Sequence, residues 1–160
     1  MTFKTKVFTA AFLGLLPFAA SAQDVVGEAG GWSIVRDPSM GNGCYMMSEF
    51  EDGSIVQIGH DASEDISFLT LFSADWTGLE NEAVYPVTFD LDGQSWTADG
   101  HGVSNADIGG ILVQIENEDF IIDLAEKQTL TMSYEGDEVV SLDLSGTRAA
   151  VLATVECMGG

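Results

Sequence analysis

Two cysteines, Cys44 and Cys157, stand about 110 residues apart, the second of them only three residues from the last position of the chain. A cysteine is rarely useful where a chain end frays, unless something fastens it. With two cysteines only one intrachain pairing exists. Joining them would close most of the chain into one loop, a constraint that in the chain-entropy account contributes about 4–5 kcal/mol. A fold that satisfies it must bring its last segment back onto its first strands.

The segment carrying Cys157 reads as a helix. Ser145 or Thr147 can cap its start, Arg148 to Cys157 holds no Pro or Gly, and Gly159-Gly160 provides a stop. Ala150, Ala153, Thr154 and Cys157 share one face at i, i+3, i+4, i+7 spacing. Small side chains on that face let the helix approach a strand as closely as a disulfide requires.

A disulfide needs an oxidising compartment, and the start of the chain supplies a route to one. Lys4 and Lys6 precede an apolar run from Val7 to Ala20, and Ala20-Ser21-Ala22 forms an A-x-A-like cleavage site. The expectation is a signal peptide over 1–22 and a single β-rich domain over 23–160, soluble and periplasmic or secreted. No other stretch is long and apolar enough to span a bilayer, so no membrane insertion is expected after cleavage. Without the leader, Arg36, Lys127 and Arg148 remain against all 26 acidic residues, a net charge of about −23. Such a surface repels phosphate backbones and anionic lipid, which argues against nucleic acid as a partner. The acids are spread along the chain, as expected of a solubilising surface; a divalent-cation-binding acidic protein is the alternative.

The body of the chain alternates as strands do. Trp32 to Val35 opens the pattern; Gly41-Asn42-Gly43 turns into Cys44 to Phe50; Glu51-Asp52-Gly53 leads to Ser54 to Gly59. Ile66 to Ser73 is apolar on both sides, which predicts a central strand covered on both faces. Val84 to Leu91, with Pro86 marking an edge or strand start, turns at Asp92-Gly93 into Gln94 to Ala98. Leu130 to Tyr134 turns at Glu135-Gly136-Asp137 into Val139 to Leu144. Between these hairpins Ile111 to Ile115 reads as a strand. Asn117 is an N-cap for a helix whose apolar stripe is Phe120, Ile121 and Leu124, with Lys127 in its last turn. The fold class is mainly β: an antiparallel sheet or small sandwich, one mid-chain helix, and a C-terminal helix docked by the disulfide.

The C-terminal "LDLSGTRAAVLATVEC" carries an L-x-L-x-G-(S/T)-x-x-A pattern at Leu142, Leu144, Gly146, Thr147 and Ala150. In this, and in the early Trp32 and Cys44, the chain resembles small exported proteobacterial domains grouped with the invasion-associated locus B proteins. The resemblance implies an exported, disulfide-closed, β-rich domain with an interaction role, and it carries over no catalytic residues.

Chemistry-bearing motifs are sparse. There is no G-x-S-x-G, GxGxxG or GKS/T stretch, and both cysteines are expected to be oxidised. His60-Asp61 and Asp99-x-His101 would offer a mixed N/O site for zinc or copper if folding brought them together, in which case a small metal-dependent hydrolase becomes the alternative reading. Asp90-Leu91-Asp92-Gly93 has the first carboxylates of a calcium loop but no distal glutamate, and Asp90/Asp92 beside Asp99 or Glu82 could pair for acid–base work; a hairpin turn accounts for it better. Trp32, Trp76 and Trp96 read as core residues, with Trp76 set apart as a candidate ligand contact because "SADWTGLENEAVY" is polar and loop-like. The leading expectation is a non-enzymatic domain, without cofactor, that binds a protein or another component of the cell envelope.

Overall fold

A computed structural model describes residues 23–105 and 108–159; the expected leader lies outside the described residues. The chain forms β1 (Asp24–Ala29), β2 (Trp32–Asp37), a single 3-10 turn (Pro38–Met40), β3 (Gly43–Glu49), β4 (Ile55–Asp61), β5 (Ile66–Ser73), β6 (Val84–Leu91), β7 (Gln94–Asn105), β8 (Ile108–Ile115), α1 (Glu118–Glu126), β9 (Thr129–Tyr134), β10 (Asp137–Asp143) and α2 (Thr147–Gly159). All ten strands belong to one antiparallel sheet in the order β1-β2-β3-β4-β5-β8-β7-β6-β9-β10.

The register explains how one sheet makes a core. Ile34, Met46, Ile58, Leu69 and Val113 lie opposite one another in successive strands and point to one face. The sheet curls about that face, so that residues from both of its ends, Trp32 on β2 and Leu142 on β10, share a single buried cluster with Phe120 and Leu124 of α1 and Ala150 of α2. The result is sandwich-like, with β1 and β10 left as the two edges. Where the curl brings the ends together, the turn between β1 and β2 meets the loop between β10 and α2. A Cβ on Gly30 would stand 2.1 Å from the Gly146 oxygen, and a Cβ on Gly146 equally close to the Gly30 oxygen, while both residues have positive φ. Only glycine satisfies both demands.

The central strand is β5, between β4 and β8. Leu69 and Leu71 face the core, while Phe68 joins Val35 and Tyr45 in a smaller cluster on the outer face. This double covering matches the two-sided apolar sequence of Ile66–Ser73. The hairpins at Asp92-Gly93 and Glu135-Gly136 have positive φ at both turn residues, the two-residue geometry that follows strand twist. Pro86 lies in an inner strand, yet β9 pairs with β6 only from Val87 onward, so the missing N–H falls where β6 has no neighbour on that side.

Four expectations need correction. Asp24–Ala29 is a strand that alternation did not announce, because it is an exposed edge and buries almost nothing. β7 runs to Asn105, well past Ala98. Gly100 and Gly102 do not end it; they admit neighbours, since a Cβ at Gly100 would meet the Ile111 side chain and one at Gly102 the Glu80 backbone. Lys127 is not in the last turn of α1 but is its extended C-cap, with its N–H donating to the Asp123 oxygen. Thr147 does not cap α2 through its side chain; its hydroxyl is buried inside the first turn, with no partner among the described residues. Asn117 does cap α1 as expected, its side chain accepting from Asp119 N–H at 2.9 Å.

The Cys44–Cys157 disulfide is formed, with Cα atoms 6.1 Å apart, and it ties α2 to β3. Thr147, Ala150 and Thr154 are the buried residues of α2, with Ala153 and Cys157 half-buried beside them, so the small-residue face is the docking face. Among the described residues no helix is long and apolar enough to cross a membrane.

Candidate functional site

Strand β7 pairs with β6 from Gln94 to His101, but with β8 only from Gly100 onward. The sheet therefore forks: Gln94–Asp99 follow β6, while Gln114 and Ile115 remain with β5. The chain crosses the fork through Asn117 and drops α1 against its inner side. An unfilled wedge between two diverging strands is a cleft by construction, and here its volume is about 530 Å³.

Its floor is aromatic. Trp96 meets Phe120 edge-on with ring centres 5.7 Å apart, and Phe89 lies 5.7 Å from Phe120. The Trp96 Nε1 is buried and has no hydrogen-bond partner among the described residues. The rim is polar: Asp99 and His101 come from β7, Glu116 and Asn117 from the crossing segment. Asp99 and His101 are two apart on one strand and so share a face. The arrangement combines an apolar wall with donors and acceptors of both kinds, which is what a binding cleft needs.

The structure does not bring the two histidines together. His60 pairs with Ser67 on β5, and His101 with Leu112 on β8, so β5 and β8 intervene between them. His60 shares its register row with Ile115, on the core side, while His101 shares its row with Leu112, on the outer side. Sheet geometry thus sets them on opposite faces. The His60 Nδ1 lies 3.3 Å from the Ser67 hydroxyl, and its Nε2 lies 3.5 Å from an exposed Asp65 carboxylate. Asp61 is spent on its own turn, accepting from the Ser63 hydroxyl and the main-chain N–H groups of Ser63 and Glu64; the Ser63 hydroxyl bond leads in holding its carboxyl below the usual range. Among the described residues no group of three His, Cys, Asp or Glu side chains is placed to hold a metal ion.

The other candidates have local roles. Asp90 accepts from Gly93 N–H, and Asp92 accepts from Gln128 and Thr129 N–H, so this acidic pair organises the hairpin and anchors the start of β9. Trp76 is half-buried against the core. It lines a small apolar cleft of about 130 Å³ with Leu79, Tyr85 and Val139, and its backbone lies over Gly109.

Trp96, Glu116 and Phe120 were not legible as a site. An indole at core spacing and an acid before a helix cap have no distinguishing pattern; only the fork, which depends on where β8 stops pairing, makes them neighbours. The available signal was Gly100, the first β7 residue paired with β8 and the end of the cleft's wall.

These features define a class of protein: a small disulfide-tied β-domain in which one curled antiparallel sheet wraps a single core and a terminal helix is stapled to its first strands. Among solved structures, the crystal structure of invasion associated protein B from Bartonella henselae is similar, with a TM-score of 0.62 and 11% identity over 88% of this chain and 100% of that chain. At that identity the likeness is one of fold. No protein-family model and no curated protein matches the sequence.

Proposed function

We propose that the protein is an exported, non-enzymatic domain that binds a component of the cell envelope, and that the component docks in the cleft at the fork of β7 and β8. The observation that carries this reading is the cleft itself: an aromatic floor of Trp96 and Phe120 under a rim of Asp99, His101, Glu116 and Asn117. Its shape comes from strand divergence, so it exists before any ligand arrives, and a preformed site loses less ordering entropy on binding. The disulfide fits the same reading. It persists outside the reducing cytosol, and the leader expected over 1–22 would deliver the chain there. The fold shared with an invasion-associated protein supports an envelope role.

The test is site-specific cross-linking in the producing cell, with a photoreactive residue at Thr97 on the cleft rim. The expected outcome is one dominant adduct with an envelope component, reduced about tenfold by combined Asp99→Asn and Glu116→Gln substitution, since two charge-assisted hydrogen bonds would be lost. Recovery of an uncleaved chain in the cytoplasm, or an adduct pattern indifferent to the rim substitutions, overturns the proposal.

A further inference from the structure

The fork leaves part of one strand with a free edge. Leu91 and Gln94 close the Asp92-Gly93 turn as a pair that exchanges both main-chain bonds, and along β7 the same role falls to Trp96 and Ala98. Ser95 and Thr97 therefore direct their N–H and C=O groups away from β6 and into the fork. β8 pairs with β7 only from Gly100 onward, and among the described residues no loop backbone bonds Ser95 or Thr97. Both residues are exposed, so these groups are open to solvent and to a ligand.

β1 and β10 also have a free side, but each is broken by a register shift, at Val25/Gly27 and at Glu138/Val140. Bulges of that kind spoil an edge as a template for pairing. Gln94–Asp99 pairs with β6 in unbroken register, so its free edge is regular. Beside it lies open space, the fork cleft of about 530 Å³. A regular row of donors and acceptors next to such a space is matched by another strand. A glycan would use the aromatic floor and the acids, but not that row.

Side-chain chemistry follows from the same register. In a strand laid along β7 with its central residue opposite Thr97, that side chain and the ones two places away lie on the outer face with Asp99. The side chains between them lie on the inner face, towards Trp96 and Phe120. Asp99 and Glu116 stand on opposite rims, are exposed, and form no ion pair among the described residues. Outward positions of the added strand thus favour Lys or Arg, and inward positions apolar side chains.

We propose that the fork cleft binds an extended polypeptide segment of alternating basic and apolar residues, added to the sheet as a strand along Gln94–Asp99 of β7. This rests on the fork cleft being the docking site, and it names the class of component that docks there.

The test uses the purified chain and the acetylated, amidated pentapeptide Lys-Val-Lys-Val-Lys at about 0.15 M salt, where attraction between distant charges is screened. Calorimetry measures affinity, and amide hydrogen exchange followed by NMR reads the pairing. In the free chain the Trp96 and Ala98 amides should exchange slowly and those of Ser95 and Thr97 fast; saturating peptide should slow the Thr97 amide at least about tenfold. The same peptide N-methylated at its central Lys keeps every side chain and charge but lacks the donor that faces Thr97, and it should bind at least about tenfold more weakly. Thr97→Pro removes the matching donor from the protein, at a residue that bonds nothing in β6, and should weaken binding at least about tenfold too. Continued protection of the Trp96 and Ala98 amides reports the fold of that variant. Absence of saturable binding, equal affinity for the N-methylated peptide, or a protected Thr97 amide in the free chain overturns the proposal. Saturable binding of a chito-oligosaccharide trimer in place of the peptide also overturns it, and leaves the fork-cleft reading standing. That reading falls instead on the cross-linking result, whatever the peptide does.

Discussion

Arg36 donates from Nη2 to the main-chain oxygen of Cys157 at 2.8 Å, and the cross-strand partner of Arg36 is Cys44, which bonds the same Cys157 through sulfur. The end of α2 is thus held twice, once by covalent sulfur and once by a guanidinium on a terminal helix carbonyl. The second tie also places positive charge where a helix dipole is negative.

Arg36→Gln should cost about 1–2 kcal/mol, since a charge-assisted, partly buried hydrogen bond is removed and a helix carbonyl is left to water. Arg36→Lys should recover part of it. Urea unfolding of the oxidised chains measures both, and a loss below the error of the wild-type curve would show that the disulfide alone suffices.

Breaking the covalent tie acts on the unfolded chain. Cys44→Ser with Cys157→Ser should lower stability by about 3–5 kcal/mol, the range expected for a long closed loop. Thermal melts with and without reductant should agree: wild type in reductant should melt with the double variant, and the variant itself should not respond.

The meeting of Gly30 and Gly146 predicts strain. Alanine at either position must adopt a positive φ and also displace the opposing backbone, at a cost of at least about 2 kcal/mol for each. The two substitutions should not add, because the first already separates the loops. Equilibrium unfolding of the two single chains and the double decides it.

Thr147 offers the opposite sign. Its hydroxyl is buried and has no partner among the described residues, so Thr147→Val keeps the shape and removes an unsatisfied group. The variant should be more stable by about 1 kcal/mol, read as a raised melting temperature.

Acid should loosen the outer face first. The folded-state pKa of Asp37 lies below the ordinary aspartate value of 3.8, with the Ser39 hydroxyl bond as the leading cause. A depressed carboxylate contributes stability that is fully present above the unfolded value and is lost as pH falls through the folded one. Melting temperature should therefore decline below about pH 4, and Asp37→Asn should flatten that decline. Equal slopes in the two chains would place the acid sensitivity elsewhere.

Much of this architecture was readable from local patterns. Alternation and glycine-bearing turns located the hairpins at Asp92 and Glu135, although Asp137 belongs to the return strand rather than to the turn; the two-sided apolar run identified β5, and the Asn117 cap began α1 where it does. The two cysteines, with a small-residue face on the last helix, were enough to dock α2. These features are short-range, or in the disulfide's case admit a single pairing, so the chain alone specifies them. The exposed edge β1, the continuation of β7 through two glycines, and both cavities were not readable in the same way. They depend on which strands become neighbours and where that pairing stops. His60 and His101 illustrate the limit: similar in the sequence, they end on opposite faces of the sheet because register, a property of strand pairs, assigns the face. The candidate sites are gaps in pairing and packing, and such gaps exist only once the whole sheet has curled around its core.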